Sequence, residues 1–310
     1  MLLKMEGYTM IQKLVTCDGN HYSMGRKQGE LLRPEIKQNL SAFWNRLGSR
    51  GYAKERIIKE GLKMEGLLSS NRIEEIMGLG KGAGAEYPDI LAYNLYHDLA
   101  FPEGCTVLMA VGKASATGNT IFLKNSDKVG SDTYSGPNSY KNKEINVIVM
   151  LDPKEGNKII GVAAAGTVAL KMGLNDKGVA TGSNISRTKE LTVRGAEKDS
   201  IQIKALDRGA LMREGLEKGR NALEATEAIL PSLLKNPMST PGNIEFADAN
   251  EAVTPASSSD SIVPMAPAPP AAAGTSGGRH AARWLAGGVV VVAAAIAGFL
   301  LTRRGRAKKR

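Results

Sequence analysis

Apolar positions along the chain follow a helical spacing for roughly the first hundred residues and then change to short, extended runs. Past Pro34, Ile36, Leu40, Phe43, Trp44 and Leu47 recur every three or four residues, which predicts a helix with one buried face. Asn20 or Ser23 is placed to cap an earlier helix that is interrupted or restarted near Pro34. A second helix is expected over about 53–68. A third covers about 72–79 and ends in GKGAG, and a fourth follows Tyr87-Pro88-Asp89 and carries Ile90, Leu91, Leu95 and Leu99. After Cys105 the pattern becomes β-rich over 106–111, 120–123, 145–151, 159–164 and 179–182, with Gly, Asn and Asp clusters between the runs. Residues 199–234 read as helical again, as two helices, and a last strand is expected over 243–247 after Ser239-Thr240-Pro241-Gly242. Helices, then strands, then helices favour an α+β layered domain over a βαβ repeat.

At about Val253 the composition breaks. Residues 254–283 are rich in Ala, Pro and Ser, which predicts an extended linker. Residues 284–302 carry no charge, and a helix of that length spans roughly 28 Å, close to the hydrocarbon core of a bilayer. Trp284 flanks it on one side and the basic tail 303–310 on the other, so a single-pass transmembrane helix is expected there. The basic end favours a cytosolic tail, whereas the N-terminus lacks the apolar run of a secretory signal, which leaves the side of the main domain open.

The net charge of +10 changes meaning once it is divided along the chain. From Thr254 onward there are eight Lys/Arg and one acid, so residues 1–253 carry 33 minus 30, or +3. Without aromatic-basic interleaving, nucleic-acid binding is not expected. Two cysteines, Cys17 and Cys105, give neither a disulfide framework nor a metal spacing, and no metal or cofactor is predicted. The Gly78/Gly80/Gly82/Gly84 run follows a helix and lacks the Lys-Ser/Thr ending of a phosphate loop, so it reads as a helix stop and packing turn.

Cys105, between Gly104 and Thr106 at the mouth of a strand pattern, is the candidate nucleophile. His97 is the near candidate for a conventional base, but it reads as a helix-surface histidine. The other solution is autocatalytic. The thiol attacks the Gly104 carbonyl, the chain is split, and Cys105 gains a free α-amine with a reference pKa near ~7.7–8 that serves as base.

Taken in order, GNHYSMGRKQGELL, IEEIMGLGKGAG, YPDILAYNLYHDL, EGCT, NTIFLKNSD, GLNDKGVATGSN and STPGNIEFADA resemble the Ntn cysteine hydrolases related to acyl-CoA:6-aminopenicillanic acid acyltransferase, cousins of the choloylglycine hydrolases. The resemblance covers about 17–253. It implies an αββα sandwich self-cleaved between Gly104 and Cys105, with an α-subunit of 1–104 and a β-subunit of 105–253 that stay associated. It also implies Cys105 as nucleophile, Asp127 as the carboxylate near the new amine, Asn243 as oxyanion donor, and Thr106, Asn125 and Asn184 as supporting residues. Substrates implied are small acylated amides, peptides or acyl-CoA-like thioesters. Relatives continue with more strands and helices after the asparagine strand, so a sandwich shortened or replaced after Val253 is expected. A membrane-tethered, non-catalytic Ntn-like binding domain is the alternative.

Overall fold

The computed structural model describes residues 13–101, 103–128, 144–185, 207–235, 242–257 and 262–265. An N-terminal strand β1 (Leu14–Gly19) precedes six helices: α1 (His21–Leu31), α2 (Arg33–Ser49), α3 (Lys54–Met64), α4 (Ser70–Ala83), α5 (Tyr87–Leu95) and α6 (His97–Ala100). A hairpin, β2 (Glu103–Ala110) and β3 (Ile121–Lys128), comes next. Four strands follow: β4 (Asn146–Pro153), β5 (Ile159–Ala164), β6 (Met172–Asn175) and β7 (Ala180–Ile185). Then come α7 (Arg208–Lys218), α8 (Ala222–Lys235), β8 (Gly242–Ala247), β9 (Ala252–Ser257) and β10 (Ile262–Met265). The fold is α+β.

Eight strands form one sheet in the order β1-β4-β5-β6-β7-β8-β9-β10, while β2 and β3 form a separate two-stranded sheet. Only the β1–β4 pairing is parallel within the large sheet. Cross-strand register puts Val15, Val149, Gly161, Gly173, Thr181 and Phe246 in one row across its face. A Cβ on Gly173 would lie 2.9 Å from Leu216, and one on Gly215 would lie 2.4 Å from the Phe246 ring, so α7 covers that face. On the opposite face, a Cβ on Gly182 would lie 3.0 Å from the Phe122 ring, so the hairpin covers it there. The layers are therefore helices, large sheet and hairpin.

Local chemistry accounts for the helical ends. Asn20 caps α1 through its side chain, which accepts from Ser23 N at 2.8 Å, and Pro34 opens α2 where a missing N–H costs nothing. Asn175, in the GLNDKG stretch, makes an Asx-type turn by accepting from the Lys177 and Val179 amides. Its amide also joins that of Asn157 in closing the C-terminus of α7, both donating to Leu216 O and Gly219 O.

Several expectations change. The first hundred residues are not wholly helical: β1 pairs along β4, and its alternating Val15 and Cys17 point inward. The glycine run is not a turn, since α4 continues to Ala83 and only Gly84, at φ 63°, ends it. The sheet also runs past Val253, through β9 and β10, into residues read as linker, because Ala- and Pro-rich composition hid two strands that pair with each other. Pro264 sits on the edge strand, where a missing donor is tolerated. Among the described residues no helix is long and apolar enough to cross a membrane. The 284–302 segment and the basic tail lie outside the described residues.

Candidate active site

Strand alternation decides which side of the hairpin Cys105 occupies. Cys105, Val107 and Met109 stand opposite Ser126, Lys124 and Phe122. Phe122 and Lys124 are the side chains that meet Gly182, so this face is turned toward the large sheet. Thr106, Leu108 and Ala110, opposite Asn125, Leu123 and Ile121, belong to the outer face, where Leu108 is 54% exposed. Thr106 and Asn125 are thus directed away from the side on which Cys105 lies.

Cys105 lines a shallow, open cleft between the layers. Lys124 of β3, His97 and Asp98 of α6, and Asp207 and Arg208 at the start of α7 share that cleft, together with the 164–171 turn. Two buried asparagines from the helical layer fix the turn. Asn94 donates to Gly166 O at 3.0 Å and accepts from Val168 N at 2.8 Å, and Asn39 donates to Ala165 O at 3.0 Å.

On the sheet, Asn184 of β7 lies directly opposite Asn243 of β8, in the row next to Gly182 and Glu245 and on the face that meets the hairpin. Arg208 Nη1 donates to Asn184 O at 3.2 Å. A Cβ on Gly242 would lie 2.6 Å from that nitrogen and 2.1 Å from Asn184 O, so the glycine of Pro241-Gly242-Asn243 makes room for the guanidinium. Asn184 Oδ1 is buried and has no partner among the described residues. Asp127 stands opposite Gly104 in the hairpin register, and its side chain lies outside the described residues.

Electrostatics separates the candidate bases. His97 is buried, not on the surface, and its Nε2 pairs with Glu144 while Nδ1 lies 3.6 Å from Asp98. Burial alone pulls its pKa down, but the Glu144 charge and the bonds to Asp98 and Glu144 outweigh that and raise it to about 9. An imidazolium at neutral pH cannot accept the thiol proton. Asp207 is pushed up to about 6 by burial and by the charge of Asp98, against the pull of His97 and Arg208. Burial likewise raises Glu245 to about 7 despite Lys124 and Arg208. Cys17 is buried in the helix-facing side of the sheet, its thiol pushed up to about 12 by burial and then by Glu75, which makes it inert.

No family model matches the chain, and no curated protein matches it. Among solved structures it is similar to penicillin V acylase from Agrobacterium tumefaciens, at 16% identity over 53% of this chain and 39% of that one, with a TM-score of 0.24. The chain thus spans well under half of that protein, and a likeness this slight carries no argument about the site.

Cys105 and, as a candidate base, His97 stand out in the sequence, but Asp98, Lys124, Asp207 and Arg208, which share their cleft, do not. Asp98 and Asp207 are more than a hundred residues apart, and only the packing of α6 against the start of α7 brings them together. One local signal existed: Asp207 precedes a helical run, and its side chain caps α7 by accepting from Ala210 N at 3.1 Å.

Proposed function

We propose that this chain is an N-terminal-nucleophile cysteine amidohydrolase or acyltransferase that cleaves itself between Gly104 and Cys105. The observation that supports it best is the position of Cys105: on the sheet-facing side of the hairpin, in a cleft it shares with Arg208, which in turn donates to the backbone of Asn184 opposite Asn243, although neither asparagine lines that cleft.

In the processed form the Cys105 α-amine takes the thiol proton, and Sγ attacks the substrate carbonyl. The Asn243 side-chain amide donates to the developing oxyanion, and Asp127, to which the resemblance assigns this role, holds the ammonium. The amine returns its proton to the leaving group, and water or an acceptor amine resolves the acyl-enzyme. His97 takes no part as base, because both of its nitrogens face carboxylates. Small acylated amides, short peptides or the acyl end of a thioester are the substrates this chemistry serves.

A non-catalytic binding role is the second reading, and the outward apolar row Leu108, Ile121 and Leu123 on the hairpin favours it. Turnover of a panel of N-acyl amides and acyl thioesters separates the two. Cys105→Ala should fall to background, and Asn243→Ala should lose about 10²–10³ in kcat. Turnover unchanged in both variants would reject the catalytic reading.

A further inference from the structure

Self-cleavage poses a problem that the mature enzyme does not have. Before the Gly104–Cys105 bond breaks, the nitrogen of Cys105 is an amide and cannot act as a base, so the thiol proton must go elsewhere. We propose that Asp207 is the general base of the self-cleavage step, an assignment that rests on the autoprocessing reading above.

Asp207 and Cys105 line the same opening, one from the first residue before α7 and the other from β2. The charged groups that line the cleft with them are His97 and Asp98 from α6, Lys124 from β3, Lys171 from the turn after β5, and Arg208 beside Asp207 on its own helix. His97 already holds its proton between Glu144 and Asp98. Asp98 has both carboxylate oxygens committed, Oδ1 facing His97 at 3.6 Å and Oδ2 facing Arg208 at 3.5 Å. Lysine and arginine are protonated at neutral pH. Asp207 differs from all of them. It enters no ion pair among the described residues and uses only Oδ1, to accept from Ala210 N at 3.1 Å, while burial and the neighbouring Asp98 charge push its pKa up to about 6.

The bond changes balance. The Asp207 carboxylate takes the Sγ proton, and Sγ adds to the Gly104 carbonyl carbon. The C–N bond then breaks, with the Asp207 proton passing to the departing nitrogen, which becomes the α-amine. Water hydrolyses the resulting Gly104 thioester, leaving a Gly104 carboxylate and the regenerated Cys105 thiol. Asp207 ends as it began, ionised.

The cap allows a clean substitution. Asn is as good an N-cap as Asp, so Asp207→Asn keeps the bond to Ala210 N and removes only the proton acceptor. Full-length chain made by cell-free translation and followed by gel and mass between pH 5 and 8 reads the step directly. The wild type is expected to cleave faster as pH rises through about 6 and then level off, since only the ionised carboxyl accepts a proton. Asp207→Asn is expected to cleave about 10²-fold more slowly or worse, with that rise abolished. Native alkylation that labels Cys105 and spares Cys17 checks that the variant is folded. Cleavage of Asp207→Asn at the wild-type rate overturns the assignment and leaves self-cleavage standing. A wild-type rate flat from pH 5 to 8 also overturns it, whatever the variant does. A wild-type chain that stays intact at every pH rejects the autoprocessing reading and the base role with it.

Discussion

Gly78 and Gly82 carry no side chain because the carbonyl oxygens of Tyr22 and Arg26 occupy the space one would fill. A Cβ at either position would lie 2.1 Å from such an oxygen, and one on Gly25 would lie 2.0 Å from Glu75 O. The contacts are backbone on both sides, so relief requires the two helices to separate. Gly78→Ala or Gly82→Ala should cost about 3 kcal/mol in chemical denaturation, as overpacking does, whereas Gly66→Ala, where nothing lies within 4 Å, should be nearly neutral. The glycines were visible in the sequence, spaced by four in both GRKQG and GLGKG. Their purpose was not, because the partner of each helix is some fifty residues away. Cys105 was legible for the opposite reason: its neighbours Gly104 and Thr106 are the local signal. His97 was misread because a helical histidine looks solvated until Glu144 is folded onto it.

At the scale of elements, a buried network ties α1 and α4 to α7. Glu75 accepts from Arg213 at 3.1 Å and 3.2 Å, from Arg72 at 3.1 Å, and pairs with His21 at 3.1 Å. Glu217 closes the ring by accepting from Arg213 at 2.9 Å and from Arg72. Arg213 also donates to Val168 O at 3.2 Å, so the network reaches the turn that lines the cleft. Arg213→Met should destabilise the fold by about 3–5 kcal/mol, because it leaves Glu75 charged, buried and short of a partner. Burial alone would raise Glu75; Arg213, His21 and Arg72 hold it at about 2. Its folded pKa is thus depressed, so the stability it contributes is present above about 4.5 and is lost as pH falls toward 2. Denaturation midpoints across that window should drop steeply in the wild type and less in Glu75→Gln. In the sequence, Arg72/Glu75 and Arg213/Glu217 are spaced three and four apart and pass for surface pairs. Only the docking of α4 on α7 turns two commonplace pairs into one buried ring.

For the molecule as a whole, the helix-to-strand rhythm was legible because periodicity is a local property, and it yields the α+β class directly. The sheet order was not. β1 finds β4 across more than a hundred residues, and β9 and β10 hide in an Ala- and Pro-rich stretch. The assembled layers give the site its logic: the hairpin lays Cys105 over the sheet, α6 and α7 bring their charged ends to the same cleft, and Gly104–Cys105 runs as the strand opposite Asp127 and Ser126. On the proposed mechanism this bond is broken by its own thiol. Mass spectrometry of the purified full-length protein under denaturing conditions tests it most directly. Two chains are expected, one ending at Gly104 and one beginning with an unblocked Cys105, and a single intact chain for Cys105→Ala. A wild-type protein that carries an unbroken Gly104–Cys105 bond would contradict it.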